Sequence, residues 1–372
     1  MMTLVNDRVQ VIRDVKQQDE ICKKQYCEPN YLVYQSFGLR RRSPPQAPRP
    51  APTPPPFTGP TLKPDPVDPA TESVDVAKEL MNAVEAWSVT EGDPQIVVAD
   101  IDSGMDLEHP DLKGNLWTNS REVGSSPGQD RDGNGYANDV HGYDFYAKTG
   151  NPEDQNGHGT HTAGTIAAIR NGAGVIGVAP KVRIMPLRFI GPEGQGSTAD
   201  AIEAIRYATR MGAKVISASW GGGGYSSLLD QAVQDAQRAG VIFVAAAGNE
   251  GKDITRSPTY PANLNGVIAV AATDSYDQLT YFSNYGASAV MIAAPGDKIL
   301  STYLGHGYKT LSGTSMATPQ VAGAIALALS KNKSLQSSAI KGALCASADP
   351  IRSGGYGVQC GRINIGRFVK SI

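Results

Sequence analysis

Residues 214–249 read KVISASWGGGGYSSLLDQAVQDAQRAGVIFVAAAGN, and this stretch decides the fold. Two continuous apolar runs, 214–220 and 241–249, flank an amphipathic segment at 226–240. A strand that is apolar at consecutive positions has no face to give to water, so it is buried on both sides. A helix between two such strands predicts a parallel pair. The same alternation recurs in QIVVADID (95–102), VRIMPLRF (182–189), VIAVAAT (267–273) and VMIAAPG (290–296), with helical patterns at 198–211 and after Ser315. From about residue 77 the chain is therefore expected to be α/β, with a mainly parallel sheet covered on both faces. Ligands of such sheets sit outside the carboxyl ends of the strands, where Asp102, Ser219, Trp220 and Asn249 fall.

Composition narrows the function. The 372 residues are 40% hydrophobic with a formal charge of −2, which suits a large buried core and predicts neither a nucleic-acid partner nor a membrane span. The opening MMTLVNDRVQVIRD has no apolar segment of signal-peptide type, so the expectation is retention inside the cell or a trimmed start. The four cysteines form two close pairs, Cys22 with Cys27 and Cys345 with Cys360, without C-x-x-C spacing. Two local disulfides and an oxidising compartment are the reading, with free buried thiols as the alternative.

Between Pro44 and Pro69 lie 12 of the 25 prolines, a density that excludes packed helix or strand. The expected organisation is a small segment at 1–42, a proline-rich linker at 43–76 and one domain at 77–372. Within the first segment, YCEPNYLVY (26–34) reads as a strand after a charged helical stretch.

Each polar residue at the strand ends has a bland explanation taken singly. Asp102 suits a turn; Asn249 suits another; Ser315, in LSGTSMATPQVAGAIALAL (311–329), suits a helix cap. His158 and His161 are three apart, but the glutamate of a zinc H-E-x-x-H motif is missing. Together they supply an acid, a base, a nucleophile and an amide donor for acyl transfer, in the order Asp102, His158, Asn249, Ser315. An α/β-hydrolase order would need a histidine after the serine, and all five histidines precede Ser315.

IDSGMDLEHPDL (101–112), NGHGTHTAGTIAA (156–168), AAAGNEG (245–251) and SGTSMATP (312–319) closely resemble the four signature blocks of the subtilisin-like serine proteases, over about residues 80–370. The resemblance implies a three-layer α/β/α fold and peptide hydrolysis through an acyl-enzyme. Asp102 would orient His158, His158 would take the proton of Ser315, and Asn249 with the backbone N–H of Ser315 would hold the oxyanion. His161 corresponds to a non-catalytic histidine packed inside the helix. Catalytically silent binding on the same fold, and transfer to an amine in place of water, are the other classes that these blocks allow.

The resemblance also implies a cleft. Ser219, Trp220 and Gly221 on one side, and Ile190, Gly191, Pro192, Glu193 and Gly194 on the other, would pair with an extended protein or peptide substrate. Ala246, Ala247, Gly248 and Thr259 would bound the first specificity pocket, giving apolar or broad preference, with Glu250 at the rim. Calcium is expected at Asp111 with Asn171 and the carbonyls of Ile169, Ala173 and Val175. A second calcium loop reads from DRDGNGYAND (130–139), with Asp130, Asp132 and Asn134 spaced by two. YCEPNYLVY resembles the strand near the end of inhibitory propeptides of this family. The expectation is a secreted or periplasmic monomer carrying a propeptide remnant as its own inhibitor.

Overall fold

The computed structural model describes residues 2–5, 8–11, 22, 27–35, 75–352 and 357–372. In chain order the strands are β1 (Met2–Val5), β2 (Arg8–Val11), β3 (Leu32–Gln35), β4 (Val97–Asp102), β5 (Tyr143–Asp144), β6 (Arg183–Arg188), β7 (Gln195–Ser197), β8 (Val215–Ala218), β9 (Trp220–Gly221), β10 (Ile242–Ala246), β11 (Ile268–Thr273), β12 (Ile292–Pro295), β13 (Ile299–Tyr303) and β14 (Gly307–Leu311). The α-helices are α1 (Val76–Leu80), α2 (Ala83–Trp87), α3 (His158–Ala167), α4 (Thr198–Arg210), α5 (Ser227–Arg238), α6 (Thr314–Lys331), α7 (Ser337–Ser347) and α8 (Ile365–Ser371).

The unit at 214–249 folds as its alternation dictates: β8 and β10 pair in parallel and α5 crosses between them. The central sheet has seven strands in the order β12-β11-β10-β8-β4-β6-β5, all parallel. Successive strand residues point to opposite faces, so Val98, Val215 and Val244 pack under α3 and α6 while Ile101, Ile216 and Phe243 pack under α4 and α5. This is the expected three-layer arrangement. Serines start both helices of the second layer: Ser197 Oγ accepts from Asp200 N at 3.2 Å and Ser226 Oγ from Leu229 N at 3.1 Å.

Both expected disulfides are formed, Cys22–Cys27 and Cys345–Cys360. The expected strand at 26–34 is shorter and later, at Leu32–Gln35; β1 and β2 pair before it as an antiparallel hairpin, and most of the charged stretch expected as helix lies outside the described residues. The linker expected at 43–76 lies outside the described residues except for its end, where Asp75 caps α1. No helix among the described residues is long and apolar enough to cross a membrane.

Candidate active site

β4 delivers Asp102 at its carboxyl end, wholly buried, and Asp102 Oδ1 lies 2.7 Å from His158 Nδ1. A carboxylate only accepts, so Nδ1 carries the hydrogen and Nε2 is the basic atom. His158 is the first residue of α3, and Asp154 fixes that start: its Oδ1 accepts from Asn156 N at 2.8 Å and Gly157 N at 3.0 Å, its Oδ2 from Thr160 N at 2.9 Å. Gly157 has φ 97°, and a Cβ there would fall 2.4 Å from the Tyr303 ring, so only glycine fits. One turn on, His161 is buried with Nε2 3.0 Å from the carbonyls of Ile299 and Lys309; burial pushes its pKa down to about 3. It is a neutral packing residue. Asp100, two positions before Asp102 on the same strand face, accepts from Thr162 Oγ1 at 2.8 Å. Burial, and then the charge of Asp102, hold its carboxyl well above the usual carboxylate range.

Ser315 is the second residue of α6, and Gly313 occupies the cap position, so the helix-cap reading of Ser315 is corrected. The hydroxyl of Ser315 donates instead to the Ser219 carbonyl at 2.7 Å. Pro319 is also further into the helix than a first-turn proline. The carbonyl that its missing N–H leaves open, that of Ser315, accepts from Ser219 Oγ at 3.0 Å. Asn249 Oδ1 accepts from Thr314 N at 2.9 Å and Thr314 Oγ1 at 3.1 Å. This fixes the amide orientation and leaves Nδ2, buried, with no partner. An orphaned buried donor one residue from a serine is what an oxyanion requires.

β3 lies across this site, antiparallel to both β7 and β9. Tyr34 faces Gly221 on one side and Gln195 on the other, Gln35 faces Trp220, and Gln35 N donates to Gly194 O at 3.4 Å. The edge that faces β3 is Gly194 to Ser197. Ile190 and Gly191 sit one strand further in, pairing with Gly196 and Gln195, because the chain reverses between Gly191 and Gly194, where φ is 77°. The Trp220 side chain is buried against Phe189, ring centroids 4.9 Å apart, and leaves only its backbone to the cleft. Ala246, Ala247, Gly248 and Thr259 are each buried; Gly248 N donates to Thr314 Oγ1 at 3.1 Å, which brings this turn to the start of α6. Glu250 Oε2 accepts from Asn284 Nδ2 at 2.6 Å and lies 3.8 Å from Lys252 Nζ, so its charge is answered locally.

The two expected cation loops differ. Around Asp111, Oδ1 accepts from Asn171 Nδ2 at 3.0 Å, and Oδ2 from Tyr308 OH at 2.9 Å and Val175 N at 3.2 Å; Asn171 Oδ1 accepts from Ala173 N at 3.0 Å, and Ile169 N donates to Asp111 O. The residues converge, but donors already occupy the single carboxylate. At the other loop, Glu122, Asp130 and Asp132 bring carboxylate oxygens within 4.8 Å of one another. Arg131, between them, turns its guanidinium to the Val123 carbonyl at 2.8 Å. Donors occupy these carboxylates too: Glu122 Oε1 accepts from Asp132 N at 3.0 Å, Asp130 Oδ1 from Gly133 N at 2.8 Å, Asp130 Oδ2 from Gly135 N at 2.7 Å and Asp132 Oδ2 from Asn119 Nδ2 at 3.0 Å. What sets this loop apart is three anionic groups against one, the donor set that suits a divalent cation. Asn134, expected as a third ligand, donates its Nδ2 to Asp139 Oδ2 at 2.7 Å.

Glu122, Asn156, Asp154 and Thr314 are the residues that sequence reading missed. Only Asp154 left a signal, an acid shortly before the first helical residue.

A family model described as Subtilase family matches residues 93–359. Thermitase of Thermoactinomyces vulgaris is 39% identical over 306 residues, covering 82% of this chain and 99% of that protein. A thermophilic serine proteinase of Bacillus sp. (strain AK1) is 40% identical over 280 residues, 75% of this chain and 63% of the other. Subtilisin DY of Bacillus licheniformis is 42% identical over 210 residues, 56% of this chain and 76% of the other.

Proposed function

This chain belongs to the subtilase family and is a subtilisin-like serine endopeptidase, and we propose that it cuts peptide bonds through an acyl-enzyme on Ser315. The unpartnered Nδ2 of Asn249 carries the proposal, because a donor buried without a partner costs stability and is retained where charge develops. Ser315 Oγ attacks the scissile carbonyl as His158 Nε2 takes its proton; Asp102 stabilises the imidazolium; the oxyanion meets Asn249 Nδ2 and the Ser315 N–H. His158 returns the proton to the leaving amine, and water repeats the sequence on the ester. A fluorophosphonate probe tests this: one label per chain on Ser315 is expected, lost in His158→Ala, and labelling elsewhere overturns it.

The first specificity pocket, bounded by Ala246, Ala247, Gly248 and Thr259, takes apolar or varied side chains, since Glu250 is already engaged. Calcium steadies the fold, with the Glu122, Asp130 and Asp132 loop favoured over Asp111, Ile169, Asn171, Ala173 and Val175 by its carboxylates. The two disulfides support secretion.

The N-terminal segment is read as a propeptide remnant that inhibits its own enzyme. β3 fills the cleft in substrate fashion, and the Glu28 carboxylate caps α5, accepting from Ser226 Oγ, from Ser227 N at 2.9 Å and from Leu228 N at 3.0 Å. Asn30 Oδ1 likewise accepts from Ala199 N at 2.9 Å in the first turn of α4.

A further inference from the structure

We propose that Asn156 is a specificity-determining residue, selecting an amide side chain at the substrate position just before the residue whose carbonyl Ser315 attacks. The inference rests on the reading of β3 as a strand lying in substrate fashion. Its register assigns the positions. Tyr34 faces Gly221 and Gln35 faces Trp220, so the next residue of any strand in this register faces Ser219. The Ser219 carbonyl holds the Ser315 hydroxyl at 2.7 Å, which makes the residue facing it the one attacked. Gln35 therefore stands at the position before it.

There the Gln35 side chain meets a donor–acceptor arrangement that is already fixed. Gln35 Nε2 donates to Asn156 Oδ1 at 2.9 Å. Asn156 cannot turn its amide over without loss, because its Nδ2 donates to Pro192 O at 2.8 Å and its Oδ1 also accepts from His158 N at 3.2 Å. Its backbone is pinned as well: Asn156 N donates to Asp154 Oδ1 at 2.8 Å, and Tyr303 OH donates to Asn156 O at 3.0 Å. The site thus presents an acceptor that wants an N–H. Beside Asn156, a Cβ on Gly194 would lie 3.2 Å from Gln35 Oε1, so glycine there makes room for the amide. A glutamate of the same shape would set a carboxylate oxygen, with no hydrogen to give, against the Asn156 Oδ1 acceptor. An alanine would leave that oxygen with the His158 N–H alone and lose the second, shorter bond. A site built to hydrogen-bond a substrate group discriminates most sharply against the analogue that lacks it.

The test is a competition assay on the full chain, with peptides that differ only at this position, Gln, Glu or Ala, cleaved in one tube and read by mass spectrometry. Any block of the cleft by the chain's own N-terminal segment slows all peptides equally and cancels in the ratio. Gln is expected to exceed Ala by about 3- to 10-fold, the range of one net hydrogen bond, and to exceed Glu by more. In Asn156→Ala the ratios should fall to within about 2-fold, whatever that variant loses in overall rate. Equal ratios in the parent enzyme, or ratios unchanged in Asn156→Ala, overturn the inference. Absence of any cleavage together with absence of probe labelling on Ser315 would instead overturn the proposed reaction.

Discussion

Ser219 and Ser315 exchange two hydrogen bonds: the Ser315 hydroxyl donates to the Ser219 carbonyl at 2.7 Å, and the Ser219 hydroxyl donates to the Ser315 carbonyl at 3.0 Å. The second bond exists because Pro319, four residues on, has no N–H to give. Ser219→Ala should therefore leave a buried carbonyl unmet and cost about 1–3 kcal/mol. In that background Pro319→Ala supplies the missing helical N–H and should recover most of the loss. A double-mutant cycle from urea unfolding reads the coupling, and additive effects would refute the link.

Asn249→Ala removes the orphaned donor and should lower kcat on a peptide ester while KM stays near its parent value. The expected size, about 10²–10³, is measured in subtilisin itself and is carried over here. A variant keeping most of its kcat would remove Asn249 from the oxyanion site.

Asp100 gives a pH signature. Its native pKa is raised, by burial first and by the charge of Asp102 second. Below about pH 4 native and unfolded chains both hold the proton; above it the unfolded chain releases a proton that the native chain keeps, so stability is lost as pH rises towards the native pKa. Asp100→Asn keeps the acceptor for Thr162 and removes that loss. Its urea midpoint should exceed the parent's at pH 8 and match it at pH 3.5; an equal gap at both would show that ionisation plays no part.

The proposed catalytic groups were legible because each follows a local rule. Asp102 ends an apolar strand, Asn249 follows another by three residues, and His158 and Ser315 lie in the first turn of helices. Their juxtaposition was legible only through their order. The missed groups work by convergence. Glu122 lies in a turn with no periodic signal and reaches Asp130 and Asp132 only when the loop closes. Asn156 acquires its acceptor role from Pro192 and Gln35, distant in sequence. The edge that pairs with β3 is Gln195–Ser197 rather than Ile190–Gly194, because a glycine reversal shifts which strand faces out.

Chelation tests the cation loop. If Glu122, Asp130 and Asp132 share calcium, removing the ion sets three carboxylates against one another, and Tm should fall by several degrees. Asp130→Asn with Asp132→Asn should abolish the difference. A chelator without effect on the parent Tm would rule the ion out.

Glu28→Ala tests the N-terminal segment. Losing a carboxylate that accepts from Ser226, Ser227 and Leu228 should weaken its hold on the cleft by about 10-fold or more, and the initial rate of the full chain on a small peptide should rise. An unchanged initial rate would mean that the segment is no brake.

If β3 leaves, as the propeptide proposal requires, β7 and β9 present two rows of open backbone groups with a gap one strand wide. Such a slot takes any extended chain, and in a concentrated preparation the most abundant extended chain is an unfolded copy of the enzyme. The working lifetime of the released protein is then a second-order matter, set by how often a neighbour opens, so that its own concentration rather than heat alone limits storage.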